Sequence, residues 1–189
     1  DTSTLVAFVR EKRFWIFTKL AEKEARTPPQ EIQPLVDDAV LYYLGRRHRL
    51  RFVREQSVPV KLERGSLCVV RDIDARAALV EWYRTRGHRW LARRVADWSR
   101  RLRMTPGRIE VRDLGYRWGS CGQQGNLNFH WALLMAPAKM IDYVIVHELV
   151  HLTEAHHTPR FWAQLRRIIP DYEDRKNWLA EHGSRLLIL

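Results

Sequence analysis

HELVHLTEAHHTPRFW, residues 147–162, gathers His147, Glu148, His151, Glu154, His156 and His157 in a chain that has eight histidines in all. In a helix, residues i and i+4 share a face one turn apart. His147 and His151 can therefore aim ring nitrogens at one point with Glu148 beside them. The flanking Val146, Leu149, Val150 and Leu152 are apolar, so the spacing predicts a buried helix. A buried His-Glu-His stripe is costly without a partner, and a metal ion removes that cost. The H-E-x-x-H pattern suits zinc, which takes neutral imidazole. A catalytic zinc site keeps three protein ligands and one position for water, whose proton Glu148 can accept.

The third ligand has to come from beyond His151. His157 lies six positions on, and a continuous helix would rotate it roughly 240° away from the first two. The helix is therefore expected to break near Ala155 to His157. Thr158-Pro159 supplies an N-cap and first-turn pair for a new helix, RFWAQLRRII. Such a turn folds the chain back over the metal with His157 immediately before the cap. His156 and Glu154 are the rival ligands, each with the alternative of a solvated side chain on the turn.

Working outward, 189 residues with 46% hydrophobic side chains suffice for one folded domain with a real core. Residues 5–26 have helical periodicity and end at Thr27-Pro28-Pro29, which predicts an N-terminal helix over 1–30 ahead of a domain over 31–189. AVLYYLG, HRLRFV, VPVKLE and SLCVVRD, between Ala39 and Asp72, read as short strands of a small, mostly antiparallel sheet. A long amphipathic helix is expected from about Ala75 to Arg103, its apolar side running Leu79, Tyr83, Gly87, Leu91, Val95, Trp98 and Leu102 and its other side dense in arginine. RIEVRD starts another strand. YRWGSCGQQGNLNFHW, residues 116–131, reads as a hairpin about a Gly-Gln-Gln-Gly turn, and Pro137 suits the first turn of the metal helix. The fold class is α+β.

No run approaches the roughly 18 uninterrupted apolar residues of a membrane span. The opening DTSTLVAFVREKRF lacks the pattern of a signal peptide, so a cytoplasmic protein with no membrane partner is expected. Cys68 and Cys121 form neither a CxxC pair nor a disulfide framework and are expected to be reduced. Thirty-three Lys plus Arg against 22 Asp plus Glu give a net charge of +11, which favours polyanions: nucleic acid, nucleotides or acidic substrates.

RWGSC (117–121), then GNLNFHW, IDYVIVHELVHL, HHTPRFW and IIPDYEDRKNWL in that order, resembles the YgjP-like metallopeptidase family and, more distantly, SprT-like zinc proteases. The resemblance is strongest over residues 108–180. It implies a zincin-like core with one zinc ion per chain, ligands at His147, His151 and His157, and the general base at Glu148. Where such families commonly have Asn before the third ligand, this chain has His156.

The reading that follows is a zinc metallopeptidase acting on a protein or peptide substrate. Arg117, Tyr143, His156 and Tyr172 are the candidate transition-state or substrate contacts, with Tyr143 also fitting a core position. The RWGSC strand could pair with an extended peptide, or Trp118 and Cys121 could be core residues with Gly119 allowing a bulge or close approach. Two alternatives remain open. One is a DNA-associated, SprT-like protease or nucleic-acid-binding module using the Arg-rich surface. The other is a metal-dependent nucleotide phosphohydrolase, for which no Gly-rich phosphate loop is present.

Overall fold

Two pairs of residues with positive φ, Leu44-Gly45 (51° and 77°) and Arg64-Gly65 (48° and 80°), shape the first half of the chain. Positive φ at both central residues gives the turn twist that matches twisted strands, so each pair closes a tight hairpin. In the computed structural model, which describes residues 34–115, 117–187 and 189, the first hairpin joins β1 (Val40–Tyr43) to β2 (Arg46–Val53). The second joins β3 (Val60–Glu63) to β4 (Ser66–Val70). The helix expected over residues 1–30 lies outside the described residues.

The two hairpins meet side by side. β2 and β4 pair in parallel, with Leu50 opposite Leu67 and Phe52 opposite Val69, giving the order β1-β2-β4-β3. Leu41, Leu50, Val60, Leu67 and Val69 are buried on one side and pack with Leu79 of the long helix α1 (Ala75–Leu102). Asp74 caps α1, its side chain accepting from the Ala77 N–H at 3.0 Å, and Arg103 ends it at φ 54°. The buried face of α1 is Leu79, Tyr83, Gly87, Leu91 and Val95, as the sequence spacing predicts; Trp98 and Leu102 are half-buried. Gly87 permits a close approach, since a Cβ there would stand 2.8 Å from Leu134 Cδ2.

A second sheet follows, of β5 (Ile109–Arg112), β6 (Gly119–Cys121) and β7 (Leu127–His130) in the order β5-β7-β6. The hairpin expected over 116–131 is its β6–β7 pair, antiparallel with Ser120 opposite Asn128; β5 pairs with β7 in parallel. The architecture is therefore α+β, but the single, mostly antiparallel sheet of the sequence reading is corrected to two small mixed sheets, each with one parallel pair. Local alternation fixes that a segment is a strand and leaves its partner to burial. Here Leu50 and Phe52 find their best apolar neighbours on β4.

β7 runs into a buried 3-10 helix, Trp131–Met135, and then into α2 (Ala138–Val150). Pro137 sits at the N-cap of α2, one position earlier than expected, with its carbonyl accepting from the Met140 and Ile141 N–H groups. α2 is buried on nearly every side, and its one buried acid away from the site, Asp142, accepts both arms of Arg94 at 2.6 Å and the Trp98 indole N–H at 3.0 Å. This contact ties α2 to α1. Two further helices, α3 (Pro159–Ile168) and α4 (Tyr172–His182), complete the layer around α2. Among the described residues no helix is long and apolar enough to cross a membrane.

Candidate metal centre

α2 stops at the place the third ligand requires. His151 is its C-cap; Leu152 and Thr153 close a last turn onto the Leu149 and Val150 carbonyls, and the Thr153 hydroxyl donates to Val150 O at 3.0 Å. Thr158 then caps α3, accepting from the Phe161 N–H at 3.4 Å, with Pro159 as its first residue. The break expected at 155–157 is present, and it turns His157 back towards α2.

Three imidazoles converge as a result. His157 Nε2 lies 2.9 Å from His147 Nε2 and 3.1 Å from His151 Nε2. The three residues form a cluster that can hold a metal ion, with ligand atoms all within 4.8 Å of one another. His151 Nδ1 faces the Glu154 carbonyl at 3.0 Å. A carbonyl only accepts, so Nδ1 carries the proton and Nε2 keeps its lone pair for a metal. His147 Nδ1 is buried without a hydrogen-bond partner, so its ring is oriented by packing against Tyr143 and Phe161. Phe161, fully buried, touches all three imidazoles, with ring centroids 4.6–4.9 Å away. Trp162 stacks on His157 at 5.4 Å. Phe161 and Trp162 were not singled out from the sequence; the FW that follows the cap one turn on was the available signal.

Burial, reinforced by the neighbouring histidines and Lys176, holds His147 down to about 3, and the same causes lower His157. Both rings therefore stay neutral, the form that binds a metal. Three lone pairs this close repel one another unless they share a cation, and an ion fits the donor set for that reason.

Glu148 stands next to the cluster and is buried. Desolvation pushes its carboxyl up to about 8, against the opposing effects of Arg117 and a hydrogen bond donated by the Cys121 backbone N–H. The β6–β7 ladder explains that bond. Trp118 O accepts from the His130 N–H of β7 and Gly122 N–H donates to Asn126 O just before it, so by alternation Cys121 N points away from β7, towards α2. Gly119 makes the approach possible, because a Cβ there would stand 2.7 Å from Glu148 Oε1. Close approach is thus the observed role of Gly119, and the outer Cys121 amide is occupied by Glu148.

A cavity of about 910 Å³ opens over this centre, bounded by β6, α2 and α4. Arg117 and Tyr143 line it, Tyr143 being largely buried as well. Trp118 and Cys121 are half-buried and serve both core and cavity wall. Both cysteines are free thiols. His156 is exposed and outside the cavity lining, and Glu154 contributes its carbonyl to His151 rather than a carboxylate to the cluster. Tyr172 is buried against Trp162, its hydroxyl donates to Glu173 at 2.8 Å, and it does not line the cavity. Lys176 does line it and was missed from the sequence, where one lysine in EDRKNW carries no periodic or motif signal.

No curated protein and no solved structure matches the chain. The model of one protein family, described as YgjP-like, metallopeptidase domain, matches residues 1–182. With a match of that extent, the chain belongs to the YgjP-like metallopeptidase family.

Proposed function

We propose that this protein is a zinc-dependent peptidase in which His147, His151 and His157 hold the metal and Glu148 is the general base. The observation that carries the reading is the meeting of three imidazole Nε2 atoms beside the buried carboxyl of Glu148, at the floor of an open cavity. The separations of 2.9 and 3.1 Å are near the roughly 3.3 Å between two nitrogens on one tetrahedral zinc. Three histidines leave one position open, the composition of a catalytic rather than a structural site.

Bound zinc would supply Lewis-acid polarisation of a scissile carbonyl and acidify water at the open position. Everything else is asked of the chain itself. Burial favours the protonated form of Glu148 near neutral pH, and a nearby cation would favour its carboxylate, so loading the centre would strengthen the base. It takes the proton of the attacking water and passes it to the departing amine. The Cys121 N–H and Arg117 favour the ionised form and keep the carboxylate in place. The oxyanion needs a further donor. Arg117 and Tyr143 line the cavity whereas His156 and Tyr172 do not, which favours the first two for this role.

The test pairs wild type with Glu148→Gln, both loaded with zinc, on an unstructured protein substrate. Wild type is expected to cleave it, and the variant to keep one zinc per chain while kcat falls about 10²- to 10⁴-fold. Wild type that holds zinc and cuts no peptide bond would sink the reading.

A nucleic-acid partner is the second reading we propose. It draws on one outward face of α1, where Arg86, Arg89, Arg93 and Arg100 recur at helical spacing and are exposed. Glu81 and Asp97 pair with only Arg84 and Arg100 on that helix. Association with duplex DNA that weakens steeply with salt, and more weakly in an Arg89→Ala, Arg93→Ala double variant, would support it; salt-independent or absent binding would end it.

A further inference from the structure

Besides the histidines, the charged side chains lining the cavity are Arg117, Glu148 and Lys176. Glu148 is committed to the centre. The two cations come from different walls, Arg117 just before β6 and Lys176 on α4, and both are exposed. Neither has a carboxylate within ion-pair distance among the described residues. The nearby acids are taken elsewhere: Glu173 by Arg166 at 2.7 Å and Asp171 by Arg175 at 2.9 Å.

Lys176 is also held in place. Its Nζ lies 5.2 Å from the centre of the Trp162 ring, and Trp162 in turn stacks on His157. An ammonium over an indole face is restrained without being neutralised. The ring that positions a metal-binding histidine therefore also positions an unpaired charge at the cavity wall. A wall like this repels basic groups; Arg117 and Lys176 feel Glu148 and Glu173 only at a distance, and neither is held in a direct ion pair, so both can meet a substrate anion.

We infer that the cavity selects acidic peptides, with Lys176 the principal anchor for a substrate carboxylate and Arg117 a second cation favouring the same charge. This rests on the peptidase reading and adds its substrate class. The carboxylate belongs either to an Asp or Glu side chain or to the C-terminus of the substrate. Their chemistry at Lys176 is the same. Lys176 acts here as a specificity residue and takes no part in the bond-breaking step.

The experiment uses zinc-loaded Glu148→Gln protein and fluorescence anisotropy, so that binding is read without turnover. The probes are short Ala/Leu/Gly peptides carrying Glu or Gln at successive positions, each with a free or an amidated C-terminus. An exposed, positioned ion pair near a metal is expected to favour one acidic form about tenfold at low salt, and the advantage should shrink as salt is added. Lys176→Glu should abolish or invert it. Lys176 is exposed, so this variant should fold, which a thermal melt verifies. Preference for Glu over Gln assigns the site to a side chain; sensitivity only to amidation assigns it to the terminus. Equal binding of all the peptides overturns the inference, as does an acidic preference that survives Lys176→Glu. If wild type cleaves neutral and acidic peptides alike, the peptidase reading stands and this one fails; if it cleaves none, the peptidase reading fails on its own account.

Discussion

Gly119→Ala isolates the positioning of the base from the binding of the metal. An added Cβ would stand 2.7 Å from Glu148 Oε1, 2.9 Å from its Cγ and 3.0 Å from its Cδ. Reaching an ordinary contact of about 3.5 Å requires the carboxylate to move by about 0.8 Å. It cannot do so and keep its bond from the Cys121 N–H, which comes from the same strand. A displacement near 1 Å of a reacting group costs about 10²-fold, so kcat should fall roughly 30- to 100-fold, or about 2–2.7 kcal/mol in activation free energy. Stability should suffer less, by about 1 kcal/mol, because the end of a glutamate side chain can swing towards the cavity. The assay is kcat and KM on a fluorogenic peptide, beside zinc content and a thermal melt. Zinc should stay at one per chain. Cys121→Ala keeps the backbone N–H and should stay within about threefold of wild type, since the thiol has no assigned role. Wild-type kcat in Gly119→Ala would refute the reasoning. Loss of zinc together with activity would also refute it, by showing that β6 supports the histidines rather than the base.

Three further outcomes are expected. His157→Ala should lose zinc, measured by mass spectrometry after purification, whereas His156→Ala should retain it, because only His157 Nε2 reaches the other two ligand atoms. Metal-free protein should be most stable between about pH 4.5 and 6.5. Glu148 costs stability above pH 4.5, where the unfolded chain releases a proton that native Glu148 keeps up to about 8, and His147 costs stability below pH 6.5, where the unfolded chain gains a proton that native His147 refuses until about 3. The two changes offset inside the window, so urea titrations should show a further loss of about 2 kcal/mol by about pH 8 and by about pH 3. Arg94→Ala, which strands buried Asp142 with only the Trp98 N–H, should cost about 3 kcal/mol in the same titrations, and replacing Asp142 by Asn as well should recover part of it.

The helix that carries His147 and His151, and its break, were legible because their signals are local. His147 and His151 are one turn apart, and Thr158-Pro159 announces a new helix whatever surrounds it. The long helix was legible for the same reason, since Leu79, Tyr83, Gly87, Leu91 and Val95 keep one period over more than about four turns. The parallel pairing of β2 with β4 was not, because period-two alternation says which face a residue takes and not which strand lies beside it. Tyr172 shows a different limit. A tyrosine near the site in sequence looked like a substrate contact, yet its immediate neighbour Glu173 takes the hydroxyl and Trp162 covers the ring.

The RWGSC stretch gains its meaning only when it is laid against α2. Arg117 adds a positive charge that favours the ionised Glu148, Gly119 leaves room for the side chain, and Cys121 donates its backbone N–H to it. Trp118, between them, is packed under the end of α4, where a Cβ on Gly183 would stand 2.7 Å from its ring. Three of five consecutive residues thus address one carboxylate, and a fourth fixes the strand to the helix that carries Lys176. Read along the chain, these residues suggested a core strand or a peptide-binding edge. Their common target gives a glycine, a backbone amide and an arginine one purpose within five positions: the glycine leaves room for a carboxyl group that burial keeps protonated towards neutral pH, and the amide and the charge favour its ionised form, the form the proposed general base requires.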